Sequence, residues 1–575
     1  MLLLAAMALI VGTGGAMGAW VLVKLIAIAI NIFWFGRLSV GPANIVQART
    51  GLVVLVIPVI GSLIVGLMAR FGSDKIRGHG IPEAIETILF GESRLSFKVA
   101  LLKPLSSAIS IGSGGPFGAE GPIIMTGGAI GSLFAQRFHL TAAERKTLLV
   151  AGAAAGMTAI FGTPLAAILL AVEVLLFEWK PRSFVPVVVA AMVSYVWRPL
   201  LIGAGPMFAM QALAPDGMTA LVLASGVGLL MGVEAALLSR ALYAVEDLFH
   251  RLPIHWMWWP ALGGVVVGIG GWIDPHVLGA GYANIDALLG GGLAVRLVLS
   301  LLLVKAVVWL VALGSGTSGG VLAPLLILGG ASGFLLGQVL PGDPSFWALI
   351  GMAGIMSGAM RAPLTGALFA AELTGHFAAL PHAICAAVSA FGASVLLMRR
   401  SILTEKIARR GRHILQEYTV DPLDLTQAGQ IMARLPETLP ATMTIAQAID
   451  FFAARARYRS YPLVDDRGCL LGLVSRSDAL RWRMEGAQGE TPLGDTLSDA
   501  AQPVVYPDTP SGAVADLIVA TGIGRVPVVD RNDRRVVGIV SRQDLLKARY
   551  GSRQAEEERQ SFRRAVLPVG GHDAT

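Results

Sequence analysis

The chain has 575 residues, of which 54% are hydrophobic and only 14% are charged, with a net charge of +7. This charged fraction excludes an ordinary soluble globular protein, in which about a quarter of the residues are charged. Residues 1–398 hold 36 of the 83 charged residues and residues 399–575 hold the other 47, which predicts a membrane part followed by a water-exposed part. The two cysteines, Cys385 and Cys469, lie one in each part, so a disulfide framework is excluded.

The first apolar stretch has no basic residue at its start and continues past Lys24. We therefore interpret it as a membrane helix; the alternative is a secretory signal peptide. Other apolar segments are short and interrupted by Gly or Pro, which is typical of broken helices whose ends meet inside a transport protein. Five further stretches approach or reach the roughly 20 apolar residues that a membrane span requires: 51–70, 183–204, 219–242, 260–273 and 297–313.

An internal repeat divides the membrane part into two related halves, about 1–205 and 206–398. It predicts a substrate site near the midplane of the membrane, where the halves meet. The residues alone leave open whether the halves are parallel or inverted. The aligned blocks are 121–136 with 323–338, at an offset of 202, and 163–173 with 362–372, at an offset of 199.

A basic linker near 399–426 follows the last apolar stretch. Basic residues at the end of a membrane segment are typical of its cytoplasmic side, so we expect the rest of the chain in the cytosol and expect no nucleic-acid partner. A second repeat follows, in which each copy has the pattern of a β-hairpin and then a helix. The predicted soluble segments are module 1 (427–487), module 2 (495–550) and a disordered tail (551–575).

Three glycine-rich helix starts are the candidate functional features of the membrane part: GHGIPE at 78–83, GAEGP at 118–122 and GGVLAP at 319–324. Proline near the first helical position marks a helix start, where backbone N–H groups lack intrahelical partners. The helix dipole adds positive potential there without a charged side chain. Three such starts in an apolar domain predict an anion site that binds without a lysine, weakly enough for release.

Glu120 lies one residue from the amides of GAEGP. An ionisable residue in an apolar domain is a functional candidate. While ionised, its carboxylate could occupy the anion's own place, and protonation would free it to swing away. The alternative is a helix-start glutamate that only interacts with the dipole.

In this order and spacing, GHGIPE, GAEGP and GGVLAP resemble the motifs of the ClC family of chloride channels and proton/chloride exchangers. The tandem soluble repeat resembles the CBS-domain pair that many of its members carry. The resemblance implies an all-α polytopic membrane protein of two inverted halves with a cytosolic α/β CBS pair. It also implies a homodimer in a lipid bilayer, which we expect to be the plasma (inner) membrane, with one anion pathway per subunit.

By this resemblance Glu120 falls on the family's gating glutamate, and Val321 and Leu322 fall where two backbone amides hold the central anion. The family usually has Phe at the place of Leu322. His79 and Leu403 fall where members usually carry a serine and a tyrosine whose hydroxyls contact the anion. His79 could donate from a ring nitrogen; alternatively it turns away and neighbouring amides bind. The predicted anion-binding residues are His79, Gly80, Ile81, Glu120, Gly121, Val321, Leu322 and Leu403.

A second position bears on proton coupling. In family exchangers a glutamate that passes the proton usually follows a glutamate matching Glu173. Here the next residue is Val174, as in family members that are channels. A valine cannot relay a proton, which favours channel-like conduction of chloride. The alternative is a proton-coupled antiporter of the same family, in which Glu178 could serve.

The CBS-like modules each place a hydroxyl and a carboxylate at a helix start: Ser475 with Asp478, and Ser541 with Asp544. In CBS domains such a carboxylate can hold the ribose of an adenine nucleotide. The alternative is a structural helix cap. An adenine nucleotide is thus the candidate ligand, and the sequence predicts no required cofactor and no metal.

Two other functions are less well supported by the sequence. An intramembrane metalloprotease needs an HExxH helix, which the nine histidines do not form, so we predict that the chain is not an enzyme. A CBS-containing cation (magnesium) transporter needs clustered carboxylates. The apolar segments offer scattered ones instead: Glu120, Glu173, Glu234 and Glu372. Glu173 and Glu372 end matching repeat blocks, and we expect them to cap or pair structurally.

Overall fold

The structure, a computed structural model, describes residues 1–48, 51–210, 212–410, 423, 426–496 and 503–550. The chain divides into two compact units, unit 1 (1–417) and unit 2 (418–575). The predicted tail at 551–575 and half of the predicted linker lie outside the described residues.

Unit 1 is helical in its described residues, and seven of its helices are long and apolar enough to cross a membrane. Each of the five stretches predicted as spans overlaps one of these helices over most of its length, and α1 covers the apolar N-terminal stretch. Shorter apolar helices, among them α7, α13 and α14, confirm the prediction of broken segments. The helices are α1 (Leu2–Phe35), α2 (Val53–Phe71), α3 (Ile81–Phe90), α4 (Phe97–Gly112), α5 (Glu120–Ala135), α6 (Ala142–Phe161), α7 (Pro164–Leu170, continued by a π-turn at Ala171–Leu176), α8 (Pro181–Leu201), α9 (Met218–His250), α10 (Trp259–Ile273), α11 (Tyr282–Leu289), α12 (Val295–Gly314), α13 (Leu322–Gly337), α14 (Pro344–Met360), α15 (Pro363–Thr374), α16 (Leu380–Leu397) and α17 (Glu405–Arg409).

Two residues at equivalent positions in the two halves form backbone hydrogen bonds to each other in both directions. Gly118 and Gly320, which are equivalent at an offset of 202, form an antiparallel bridge: the Gly118 N–H donates to the Gly320 carbonyl at 3.3 Å and the Gly320 N–H donates back at 2.9 Å. Reciprocal bonds between equivalent residues indicate a local two-fold axis, as inverted halves require.

The same reciprocity holds for two helix caps that link the halves. The Glu173 carboxylate accepts hydrogen bonds from the N–H groups of Leu364 and Thr365 in the first turn of α15, at 3.3 and 2.8 Å. The Glu372 carboxylate accepts from Leu165 and Ala166 in the first turn of α7, at 3.1 and 2.7 Å. Each half therefore satisfies backbone groups of the other, which confirms the structural role predicted for both glutamates.

Glycines let the repeat helices pack backbone against backbone. A Cβ at Gly127 of α5 would collide with the carbonyl of Gly152 in α6, and the reverse is also true. Gly329 of α13 and Gly351 of α14 form the equivalent contact in the second half. Small residues at such crossings allow close van der Waals packing in lipid, where hydrophobicity does not drive helices together.

A pair of buried lysines anchors loops in the two halves. Lys103 of α4 donates to the carbonyls of Ile76 and Gly78, both at 2.8 Å, ahead of α3. Lys305 of α12 donates to the carbonyls of Val277 and Gly279, at 2.8 and 2.9 Å, ahead of α11. Both lysines are fully buried and are equivalent at an offset of 202. Each ammonium satisfies carbonyls that a loop in an apolar interior would leave unpaired.

Unit 2 has two small three-stranded sheets, which confirms the α/β prediction. One sheet has the order β1-β6-β5 and the other the order β2-β3-β4. The elements are α18 (Ala428–Ile431), β1 (Ala433–Arg434), β2 (Leu439–Pro440), α19 (Ile445–Ala454), β3 (Ser460–Val464), β4 (Leu470–Ser475), α20 (Arg476–Glu485), α21 (Ser511–Thr521), β5 (Arg525–Val529), β6 (Val536–Ser541) and a helix over 542–550.

The sheets differ from the predicted module boundaries in one respect. Ala433 and Arg434, assigned from sequence to module 1, pair with Ile539 and Gly538 of module 2. Ala428 likewise packs in the hydrophobic core of module 2. A segment of two or three strand residues carries too weak a pattern to show which sheet it joins.

Candidate functional site

The three predicted helix starts lie side by side in the buried interior of unit 1. The Gly78 N–H ahead of α3 donates to the Thr317 carbonyl ahead of α13 at 3.2 Å. The Gly118–Gly320 bridge joins the loop ahead of α5 to the same loop. Backbone hydrogen bonds therefore tie the three loops together, and the N-terminal turns of α3, α5 and α13 converge.

Glycine residues allow the backbones of the three loops to pack this closely. A Cβ at Gly121 would collide with the carbonyl of His79, so the first turn of α5 contacts the loop ahead of α3 through backbone alone. At Gly118 and Gly320 an added Cβ would meet the carboxylate of Glu120. The side chain of Glu120 is thus folded back over these two glycines.

Glu120 is fully buried at the junction of the three loops. Its carboxyl group lies near two backbone N–H groups, its own in α5 and that of Ala323 in the first turn of α13, and its Oε2 atom has no hydrogen-bond partner among the described residues. The Tyr282 hydroxyl donates to Glu120 Oε1 at 3.5 Å. A carboxyl group therefore occupies the point where two helix N-termini direct their positive ends. Val321 and Leu322, also fully buried, cap and begin α13 beside it.

The prediction that the Gly80 amide is free to bind an anion is wrong. The Gly80 N–H donates to Glu83 Oε2 at 3.1 Å, and Glu83 Oε1 is paired with Lys406 Nζ at 2.8 Å. Glu83 is the third residue of α3 and reaches back to the residue that caps the helix, as in a capping box. Ile81, the first residue of α3, is fully buried.

His79 is buried, and both of its ring nitrogens lack a hydrogen-bond partner among the described residues. A buried polar group without a partner is unusual and requires an explanation such as a transient ligand or water. Its carbonyl contacts Gly121, so the residue is part of the three-loop junction.

Two cavities approach this junction. A cavity of about 500 Å³, here the tyrosine cavity, has Ala119 and Tyr282 in its lining. A cavity of about 380 Å³, here the basic cavity, has Gly78 and His79 in its lining. The lining of the second cavity includes four basic residues and three acidic ones: Arg77, Lys406, Arg409, Arg410, Asp74, Glu246 and Asp247. Since Tyr282 contacts Glu120 and Gly121 contacts His79, the glutamate lies between the two cavities.

Leu403 is buried two residues before α17. The linings of the two cavities include neither Leu403 nor Glu120, and an anion contact at Leu403 stays a prediction. The adjacent Ile402 carbonyl instead accepts from the buried hydroxyl of Tyr243 at 2.6 Å, and Tyr243 lines the basic cavity.

Tyr282 is the residue at this site that sequence reasoning missed. It lies at the start of α11, in the sequence GAGYAN at 279–284, which aligns with GHGIPE at 78–83 at an offset of 201. An extension of the repeat to this block would have pointed to Tyr282 as the counterpart of Ile81.

The carboxylates near Val174 are held in structural contacts. Glu173 caps α15. Glu178 accepts from the Ser183 hydroxyl at 2.9 Å and forms ion pairs with Lys146 and Lys180, at 3.7 and 3.5 Å.

In unit 2 the candidate nucleotide-binding residues form the hydrogen bonds of two helix caps. Asp478 Oδ2 accepts from the Ser475 N–H at 2.9 Å and from its hydroxyl at 2.6 Å. Asp544 Oδ2 and Ser541 form the same two bonds at the same distances. The geometry fits the capping alternative, and nucleotide binding stays a prediction.

Comparison with known proteins gives the same division of the chain. The family model described as voltage gated chloride channel matches residues 60–394, and the CBS domain model matches residues 428–485 and 498–551. The voltage-gated ClC-type chloride channel ClcB of Salmonella dublin is 31% identical over 385 residues, which are 64% of this chain and 92% of that protein.

Two solved structures share the fold. A slow cyanobacterial Cl⁻/H⁺ antiporter superposes with a TM-score of 0.62 at 22% identity, over 70% of this chain and 97% of that one. A eukaryotic CLC transporter superposes with a TM-score of 0.59 at 20% identity, over 94% of this chain and 97% of that one.

Two glycine substitutions should distinguish a glycine that contacts backbone from a glycine that contacts the Glu120 side chain. Gly121→Ala forces a Cβ against the His79 carbonyl, and we expect an overpacking cost of about 1–3 kcal/mol and a lower thermal midpoint in detergent. At Gly118 the atoms nearest to an added Cβ belong to the Glu120 carboxyl group and not to backbone, so the midpoint of Gly118→Ala should fall less than that of Gly121→Ala. Equal midpoints for the two variants would contradict this description.

Proposed function

The chain belongs to the voltage-gated chloride channel family, known as ClC, and we propose that it carries chloride or another small anion along a pathway gated by Glu120. It is a multi-pass membrane protein. The observation that carries the proposal is the buried Glu120 carboxylate at the converging N-termini of α5 and α13, between two cavities.

The geometry supports a simple exchange of negative charges. Backbone N–H groups that interact with the Glu120 carboxylate would interact equally with an anion in its place. Because the donors carry no net charge, an anion would be held without the tight pairing that a lysine imposes. Protonation of Glu120 removes its charge, so the neutral side chain would give up the position to the anion.

Neutralisation of Glu120 should therefore open the pathway. In liposomes of purified protein, we expect Glu120→Gln to raise chloride efflux at about pH 7.5 by about tenfold, the order of one charge-assisted hydrogen bond. The unmodified protein should gain flux as the pH falls, because protonation uncharges the gate, whereas the Gln variant should not respond.

Glu92→Gln, at an exposed surface ion pair, is the matched control and should behave as the unmodified protein. A Glu120→Gln variant with unchanged flux and unchanged pH response would remove Glu120 as the gate.

We further propose channel-like conduction over proton-coupled exchange. Val174 cannot relay a proton, and the neighbouring carboxylates of Glu173 and Glu178 are held by cap and ion-pair contacts. The alternative, a proton-coupled antiporter, would need a proton path from the basic cavity that avoids this position.

The reversal potential decides between the two mechanisms. Under a pH gradient at equal chloride on both sides, we expect no shift, because a passive anion pathway does not respond to the proton gradient. A chloride gradient is the positive control and must produce a shift. A reproducible shift under the pH gradient alone would establish exchange.

His79 is proposed as an anion contact on the side of the basic cavity. Its two unpartnered ring nitrogens support this role, and a ring N–H is a suitable donor to an anion. The Gly80 amide cannot replace it, because Glu83 already occupies that donor.

Replacement of this ring should change selectivity. We expect His79→Ser to alter the relative fluxes of chloride, nitrate, fluoride and bicarbonate by about threefold or more, the order of one hydrogen bond. His139→Ser, at an exposed position, is the control. Unchanged selectivity and pH dependence in His79→Ser would show that the ring does not face the anion.

The remaining assignments follow from the same proposal. We propose that unit 2, as a CBS pair, lies in the cytosol and that unit 1 lies in the plasma (inner) membrane. A homodimer is proposed, with an exposed apolar face at Leu165 of α7 and its repeat counterpart Leu364 of α15 as a candidate contact. An adenine nucleotide is the candidate CBS ligand.

A magnesium transporter is less well supported by the geometry. Within the described ranges, His, Cys, Asp and Glu side chains do not assemble in groups of three or more that could hold a metal ion.

A further inference from the structure

The loop ahead of α11 is the repeat counterpart of the loop ahead of α3. Gly78 and Gly80 have φ values of 79° and 87°, and their counterparts Gly279 and Gly281 have φ values of 67° and 72°. Positive φ at both glycines is a conformation that other residues rarely adopt. One buried lysine anchors each loop by two carbonyls. The two halves therefore bring matching loops to the site, and the second one ends in Tyr282.

The Tyr282 hydroxyl contacts α5 in two ways that are compatible with its single hydrogen. It donates to Glu120 Oε1 at 3.5 Å and accepts from the N–H of Ala119, the residue that caps α5, at 3.3 Å. Its ring packs edge-on to Phe161 at 6.5 Å between centroids and lies 6.1 Å from Phe208. The aromatic contacts and the lysine-anchored loop hold the hydroxyl in one place.

We propose that Tyr282 is a positioning residue that keeps the ionised Glu120 carboxylate in the closed position. This inference rests on the proposed gating role of Glu120. The hydroxyl donates to the charged carboxylate, which accepts more strongly than a neutral carboxyl group. Tyr282 therefore stabilises the ionised, closed state in preference to the protonated, open state.

Other charged or titratable groups near the gate come from the surrounding loops and helices. His79 lies in the loop ahead of α3, and its carbonyl contacts Gly121. Lys103 holds that loop from α4, and Lys305 holds the Tyr282 loop from α12, with its ammonium beside Gly281. Among the described residues, the titratable side chain that donates a hydrogen bond to the Glu120 carboxylate is that of Tyr282.

Removal of the hydroxyl should loosen the gate. In liposomes of the full chain, we expect Tyr282→Phe to raise chloride flux at about pH 7.5 by about threefold to tenfold, the range of one hydrogen bond. The pH of half-maximal flux should move upward, because the ionised state loses a stabilising donor and Glu120 protonates more readily. Tyr195→Phe, which removes an exposed hydroxyl from α8, is the matched control.

A double variant makes the test specific. In a Glu120→Gln background the carboxylate is absent, so Tyr282→Phe should leave both flux and pH response unchanged. An equal rise in both backgrounds would mean that the phenyl ring only widens the tyrosine cavity, and no rise in the unmodified background would mean that the hydroxyl does not hold the gate. Either result overturns the inference. If Glu120→Gln itself has no effect, the gate proposal fails first and separately.

Discussion

A lipid interior provides no water to satisfy a free backbone N–H or C=O group, and the structure depends on this constraint. Long helices satisfy their own backbone, but α3, α5, α11 and α13 begin inside the protein. Each of these ends must find partners within the chain. Glycine bridges, buried lysines and helix caps satisfy most of the exposed groups. The N–H groups that remain at the starts of α5 and α13 lie near the Glu120 carboxyl group, in a position where an anion could replace it.

Much of this arrangement could be predicted from sequence, because the signals were local or repeated. Apolar length predicted the spans, and Gly-Pro junctions predicted the broken helices. The repeat at offsets of 202 and 199 predicted two halves and the structural roles of Glu173 and Glu372. Convergence of the three loops was expected from the motifs, and the bridges at Gly78 and Gly118 confirm that they meet.

The rest depended on contacts that no spacing shows. The Gly80 amide was expected to be free because helix starts have unpaired donors, yet Glu83, three residues on, had the capping-box spacing and takes it. Tyr282 escaped notice because GAGYAN lacks the Pro and Glu of GHGIPE, although the pair of glycines is retained. The strand Ala433–Arg434 crosses to the second sheet, and two residues are too few to indicate a partner.

The exchange of caps between Glu173 and Glu372 has a consequence for how the protein is made. The donors at Leu165 and Ala166 are separated from their acceptor by about 200 residues of chain. During synthesis α7 reaches the bilayer with these groups unpaired until Glu372 has left the ribosome. An isolated first half would thus keep these backbone N–H groups without a hydrogen-bond acceptor inside the membrane. Two identical half-length polypeptides inserted in opposite orientations could instead cap each other's helices with their carboxylates.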